Sequence, residues 1–210
     1  VSVVVSDLER DTLARMDADE AAGRSVFSAR PDLGYFRNRE RLHWTGPIRF
    51  EPRLGPWLYR KLAGPVGIYH YSADPEYPMT LVLSDGTEIQ PDRTFESDMG
   101  SVPPLIQAIP GGWFGKDRLL PAYTGHDSDY TFGVHWIRRP GGEAVFRPEP
   151  VDKGRADLKL RLGALILGCP RWPADRIYWA VDRFGTGVWS RRGGARVAWK
   201  ARKQAEGVLV

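Results

Sequence analysis

Apolar positions along the chain switch between two periods. From Pro47 to Pro91 they come in short β-branched or aromatic runs, at Ile48–Phe50, Val66–Tyr71 and Met79–Leu83, which predict strands. Ser84-Asp85-Gly86-Thr87 is the clearest turn, because Asp-Gly accepts the positive φ that a tight hairpin demands. Thr80–Leu83 and Glu88–Gln90 are therefore expected to pair antiparallel. Thr94–Phe95 reads as one further edge.

Beyond Val102 the period lengthens. Leu105–Ile109 and Leu119–Tyr130 are expected to be helical, with Pro121 in a first turn. Asp152–Leu167 carries the strongest helical pattern: Asp152 suits an N-cap, and Ala156, Leu160, Gly163, Ala164 and Leu167 share one face before Gly168 and Pro170 stop it. Pro173–Phe184 follows, with Ile177, Ala180, Val181 and Phe184 on one side. The pattern predicts an α+β fold, a small antiparallel sheet from the first half packed by two or three helices from the second.

Both ends read differently. Residues 1–45 form an expected N-terminal arm, in which Asp7–Ala22 carries only Leu8, Leu13 and Met16 as large apolar residues. A helix with so thin a stripe needs a partner surface, in this chain or another. Residues 46–190 form the expected domain and 191–210 a basic tail. Arg191, Arg192, Arg196, Lys200, Arg202 and Lys203 crowd that tail with no acid before Glu206, within a chain of net charge +4. They are either a solvated face or a contact for an acidic partner surface or nucleic acid.

The opening residues lack the basic start and long apolar run of a secretory leader. No apolar run is long enough to span a membrane. One cysteine, Cys169, excludes an internal disulfide framework and a Cys-rich zinc site. It sits before a proline at a helix end and is expected to be a buried, inert thiol. The chain contains no H-E-x-x-H, G-x-S-x-G, P-loop or dinucleotide fingerprint.

Candidate chemistry lies in four stretches, around Asp98 and Ser101, around His126 and Asp127, around Asp157, and at Asp182-Arg183-Phe184-Gly185 with Trp189 just beyond. His126 and Asp127 are adjacent, and imidazole and carboxylate are both good ligands for Zn²⁺ or Mn²⁺. Adjacent helical residues point about 100° apart, so sharing an ion requires a bent or terminal turn, for which Gly125 and Pro121 give the opportunity. The other reading is a histidine held by hydrogen bonds in a polar core. On a helix, His126 and Tyr130 share a face. Asp98 and Ser101 precede Pro103-Pro104 in a segment that cannot be regular helix. They either present a carboxylate and a hydroxyl to a site or make a local turn. Asp157 lies beside an apolar helix face, in a site or paired with Arg155 or Arg161. His43, His70 and His135 have no neighbours at ligand spacing and read as structural or surface residues.

Phe95, Ser97, Asp98, Ser101, Val102 and Pro103, then His126, Asp127 and Tyr130, then Ala156 and Asp157, then Tyr178, Ala180, Val181, Arg183, Phe184 and Gly185 follow one another in a characteristic order. This ordered set resembles a phage- and prophage-encoded family of unknown function, marked by F-x-S/T-D-x-x-S-I/V-P, H-D-x-x-Y, A-D and a terminal A-V-x-R-F-G run. The resemblance covers roughly residues 78–190. Gly125 replaces a usual apolar residue, Asp182 adds a charge, and Phe132–Pro150 looks like a long insert. The family has no established activity, so the resemblance implies a setting rather than a reaction.

Two functions are expected on these grounds. One is a structural component of a phage particle (tail, baseplate or neck), made in the host cytoplasm and residing in the virion. It would contact other virion proteins in a symmetric homo- or hetero-oligomer. The other is a metal-dependent hydrolase of the bacterial envelope, with peptidoglycan as substrate. In it Asp98, His126 and Asp127 would hold a divalent metal, and Ser101, Tyr130 and Asp157 would orient substrate or move protons.

Overall fold

The computed structural model describes residues 6–51, 66–97, 116–142 and 144–191, with the isolated positions 193, 200 and 204. The architecture is α+β, with antiparallel sheets from the first half and helices concentrated in the second. Strand content divides into two sheets. Six strands run in the order β1 (Val26–Phe27), β2 (Gly34–Arg37), β5 (Thr80–Leu83), β6 (Glu88–Gln90), β8 (Val134–Arg138) and β9 (Arg147–Pro150). A three-stranded sheet holds β3 (Leu42–Glu51), β4 (Val66–Ala73) and β7 (Thr94–Ser97) in that order.

The Asp-Gly hairpin forms as its residues dictate. Leu81 faces Ile89 and Val82 faces Glu88 across β5 and β6. Gly86 has φ +84°, and the Asp85 carboxylate accepts from the Thr87 amide at 2.8 Å. The stretch 132–150 is a hairpin rather than a loose insert: Ile137 pairs with Ile89, extending the sheet, and β9 follows as its last strand. Pro148 and Pro150 are tolerated there because an edge strand has amides to spare.

Helix α1 (Asp7–Ala21) is capped by Ser6, whose hydroxyl accepts from the Glu9 amide, so Asp7 sits inside the first turn rather than capping it. Its partner surface is in this chain, at β1 and β2, and the contact is polar. Buried Asp19 accepts from the Tyr35 hydroxyl at 2.6 Å and from the Arg37 guanidinium at 2.7 Å. Leu8 and Leu13 stay exposed. Residues 26–37 thus supply two strands of the larger sheet, and β3 runs across position 45.

Three longer helices lie in the second half, the first before β8 and the other two after β9. Helix α2 (Lys116–Phe132) packs on α3 (Lys153–Ile166), and α3 on α4 (Arg171–Phe184). Asp152 caps α3 as expected, accepting from the Arg155 amide at 2.8 Å. Gly163 makes the α2–α3 approach possible, since a Cβ there would lie 2.9 Å from the Ala122 Cβ. The core joins Phe36, Met79, Leu81 and Ile89 from the larger sheet to Leu119, Tyr123, Leu160, Ile166 and Ile177 from the helices. A satellite cluster of Tyr71, Phe95, Phe132 and Val134 ties the smaller sheet to the end of α2. A short helix, α5 (Thr186–Arg191), folds back after α4.

The expected helical stretch Leu105–Ile109 lies outside the described residues, as does most of the basic tail. Pro121 falls inside α2, because the helix starts at Lys116.

Candidate functional site: a buried imidazole between two carboxylates

Helix α2 runs without a break through Gly125, so the bent turn expected before His126-Asp127 is absent. Gly125 instead gives its carbonyl to the Lys159 ammonium at 3.1 Å, which ties α2 to α3. One turn later His126 and Tyr130 do share a face, with ring centroids 4.1 Å apart.

His126 lies between two acids. Its Nδ1 is 3.1 Å from Asp127 Oδ1, and its Nε2 is 3.1 Å from Asp157 Oδ1 on α3. Tyr130 donates its hydroxyl to the same Asp157 oxygen at 2.6 Å. The Lys153 ammonium, one turn back on α3, donates to Asp157 Oδ2 at 2.7 Å and to the Asp182 carbonyl of α4 at 2.9 Å. Ser97, last residue of β7, donates its hydroxyl to Asp127 Oδ2. Five side chains from two helices and a strand therefore form one chain of contacts, Ser97–Asp127–His126–Asp157–Lys153, with Tyr130 as a branch.

The sequence pointed to six site residues. The structure brings together four of them, His126, Asp127, Tyr130 and Asp157. Asp98 and Ser101 lie outside the described residues, although Asp98 is bonded directly to Ser97 in the chain. Asp157 pairs with neither Arg155 nor Arg161, which turn to Glu149 and Asp175. Its cation is Lys153. Ser97 and Lys153 are the members that sequence reasoning left without a role. The spacing of Lys153 and Asp157, i and i+4, was the available signal.

The electrostatics follow from burial and partners. Desolvation works against a charged imidazole, but hydrogen bonds and charge from Asp127 and Asp157 outweigh it and raise the His126 pKa above its ordinary 6.5. Burial works against the Asp157 carboxylate too. His126, Lys153 and Tyr130 nevertheless hold its pKa below the ordinary 3.8. Burial, and then the bond to Asp157, push the Tyr130 phenol far up, so it stays a donor. The state with both groups ionised is an imidazolium donating from each nitrogen to a carboxylate. Neither nitrogen then offers a lone pair to a metal ion. Among the described residues, no three His, Cys, Asp or Glu side chains converge as a metal-holding group.

A second buried group lies nearby on α2. Asp129 pairs with Lys159 at 2.5 Å, and His135 of β8 stands 3.9 Å from the same carboxylate oxygen. Cys169 is buried and burial pushes its thiol up to about 11, the inert state expected of it.

The two opposite shifts set a pH window. The Asp157 contribution to stability is present above 3.8 and is lost as pH falls through its lowered native value. The His126 contribution is present below 6.5 and is lost as pH rises through its raised native value. The network should therefore stabilise most between those limits. We expect the urea midpoint of the native protein to decline as pH rises above 6.5, and this decline to be blunted in His126→Asn. A native midpoint that stays level across that rise would count against the charged imidazole.

Fold and site together define an α+β protein whose helices are joined by a buried carboxylate–imidazole–carboxylate relay. No family model, no curated protein and no solved structure matches the chain.

Proposed function

We propose that the chain is a structural component of a bacteriophage particle, in its tail, baseplate or neck, where the relay serves as an internal fastening. The observation that carries this reading is the placement of large apolar side chains in solvent on two separate elements. Leu8 and Leu13 are exposed on α1, and Ile48 and Phe50 on β3. Such side chains fit contacts with neighbouring subunits of a symmetric homo- or hetero-oligomer. The ordered resemblance over residues 78–190 supports the phage setting, with synthesis in the host cytoplasm and residence in the virion. The basic tail adds a contact for an acidic partner surface. No described helix is long and apolar enough to cross a membrane.

Sedimentation velocity, with immunodetection in purified particles, tests this reading. The native chain should form concentration-dependent assemblies and travel with the particles. Leu13→Glu and Phe50→Glu, both at exposed positions, should shift it towards monomer without changing its circular dichroism. A chain that remains monomeric at every concentration and is missing from the particles overturns the reading.

One observation favours a second reading, a metal-dependent hydrolase of the bacterial envelope. The imidazole–carboxylate chain ends at Ser97, and the residue that follows it in the sequence, Asp98, is a carboxylate of the ligand set expected from the sequence. A divalent ion such as zinc or manganese would require His126 to surrender one of its carboxylates. Stoichiometric metal found by elemental analysis and lost in His126→Ala, together with peptidoglycan cleavage, would favour this reading over the first.

A further inference from the structure

The outward face of α4 carries an alternating stripe that neither reading uses. Trp172, Arg176, Trp179 and Arg183 are spaced four, three and four apart, so at 100° per residue all fall within about 60° of one another. Trp172 and Trp179 are 53% and 49% exposed, and Phe184, at the end of the helix, is 53% exposed. The aliphatic and small residues of the same helix, Ala174, Ile177 and Ala180, face the core. Burial of the helix therefore does not account for the two tryptophans.

The charge around these rings is uneven. The helix has two acids, and both are occupied by other cations. Asp175 accepts from Arg161 at 2.6 Å and lies 3.8 Å from Arg171, while Asp182 lies 3.6 Å from Lys153. Among the described residues, Arg176 and Arg183 have no carboxylate partner. The Arg176 guanidinium instead lies over the Trp172 ring, 5.4 Å from its centroid. Trp179 stands nearly perpendicular to Phe184, with ring centroids 5.6 Å apart, and about half of its surface remains in solvent.

We propose that this stripe is a binding track for single-stranded nucleic acid. The two indoles, about 10.5 Å apart along the axis, stack bases, and Arg176 and Arg183 meet phosphates. A polymer that alternates flat rings with anionic groups is complementary to a stripe that alternates aromatic rings with unpaired cations. An anionic lipid surface fits less well, because an interfacial helix keeps its cations on one face and its apolar rings on the other, whereas Arg176 and Arg183 share one stripe with the indoles. Stacking tolerates any base, so the track would show little sequence preference.

The test uses the full chain and a fluorescein-labelled oligodeoxythymidylate. Binding should quench tryptophan emission and exceed binding to a duplex of equal length. Trp172→Ala/Trp179→Ala should weaken binding at least about ten-fold, on the scale of two lost base stacks. Arg176→Gln/Arg183→Gln should reduce the slope of log affinity against log salt by about 1.4, two phosphate contacts at ~0.7 each. All these positions are on the outer face, so circular dichroism should be unchanged. Arg191→Gln/Arg192→Gln/Arg196→Gln separates the helix from the basic tail. No binding at low salt overturns the proposal. So does affinity lost only with the tail arginines, or preferential uptake by phosphatidylglycerol vesicles. Burial of both tryptophans in a self-associated form would overturn it as well.

Discussion

Replacing Asp157 by alanine should cost about 3–5 kcal/mol of folding stability, the range for removing one member of a buried ion pair. The carboxylate has no exposure to solvent and takes three donors, the His126 imidazole, the Tyr130 hydroxyl and the Lys153 ammonium. Alanine fills none of those bonds. Lys153 retains the Asp182 carbonyl at 2.9 Å, and His126 retains Asp127. The imidazole Nε2 and the phenol are left facing an empty, water-poor space. That loss is a large share of the roughly 5–15 kcal/mol that holds a domain together. Urea denaturation followed by circular dichroism measures it. Tyr130→Phe provides a milder companion, expected to cost about 0.5–1.5 kcal/mol for one hydrogen bond. A loss below about 1 kcal/mol in Asp157→Ala would mean that the relay does not fasten α2 to α3.

The parts of this fold that were legible in the sequence are those with local causes. The β5–β6 hairpin follows from Asp85-Gly86, and α3 from its cap and one apolar face. β9 hides because Arg147-Pro148-Glu149-Pro150 reads as a loop. It becomes a strand only because β8 offers an edge, and nothing within four residues reveals that edge. β2 is similar. Gly34-Tyr35-Phe36-Arg37 lies among turn signals, yet it is buried throughout between β1 and β5. Its Arg37 is neutralised by Asp19 and Glu88, residues remote in sequence. Helix α1 inverts the usual rule for the same reason. Its buried positions are Thr12 and Asp19 rather than its leucines, and Asp19 is held inside as the acceptor for Tyr35 and Arg37.

The site shows the same division. His126 and Tyr130 are one helical turn apart, so their shared face was readable. That Asp157 meets both was a matter of packing, set by Gly163 letting α3 lie close to α2. Ser97 reaches Asp127, thirty positions further along the chain, a contact that no local spacing encodes. Lys153 is a cation in the first turn of a helix. Its role depends on α4 bringing the Asp182 carbonyl within reach.

Gly185→Ala is expected to be the other severe substitution, because it joins the relay to the helix that carries the aromatic stripe. The residue caps α4 with φ −74°, so its backbone conformation is open to any residue. Space is the constraint. A Cβ at 185 would lie 2.5 Å from the Tyr130 hydroxyl and 2.3 Å from the Val181 carbonyl oxygen. Immediately beyond, Trp189 of α5 meets the Tyr130 ring edge-on, with centroids 5.1 Å apart. With a methyl group added, either the α4–α5 turn backs away and draws Trp189 off Tyr130, or Tyr130 moves and releases Asp157. Overpacking of this kind costs about 1–3 kcal/mol, and a lost hydrogen bond to Asp157 adds about 0.5–1.5 kcal/mol. A cycle with Tyr130→Phe separates the two causes. Removing the hydroxyl relieves one of the close contacts and leaves the Val181 carbonyl in place. The alanine should then cost less in the phenylalanine background, with a coupling of about 0.5–3 kcal/mol. Urea midpoints give the energies, and tryptophan emission reports on Trp189. Strict additivity would show that Gly185 serves only the Val181 turn and that α4 is not joined to the relay through Tyr130.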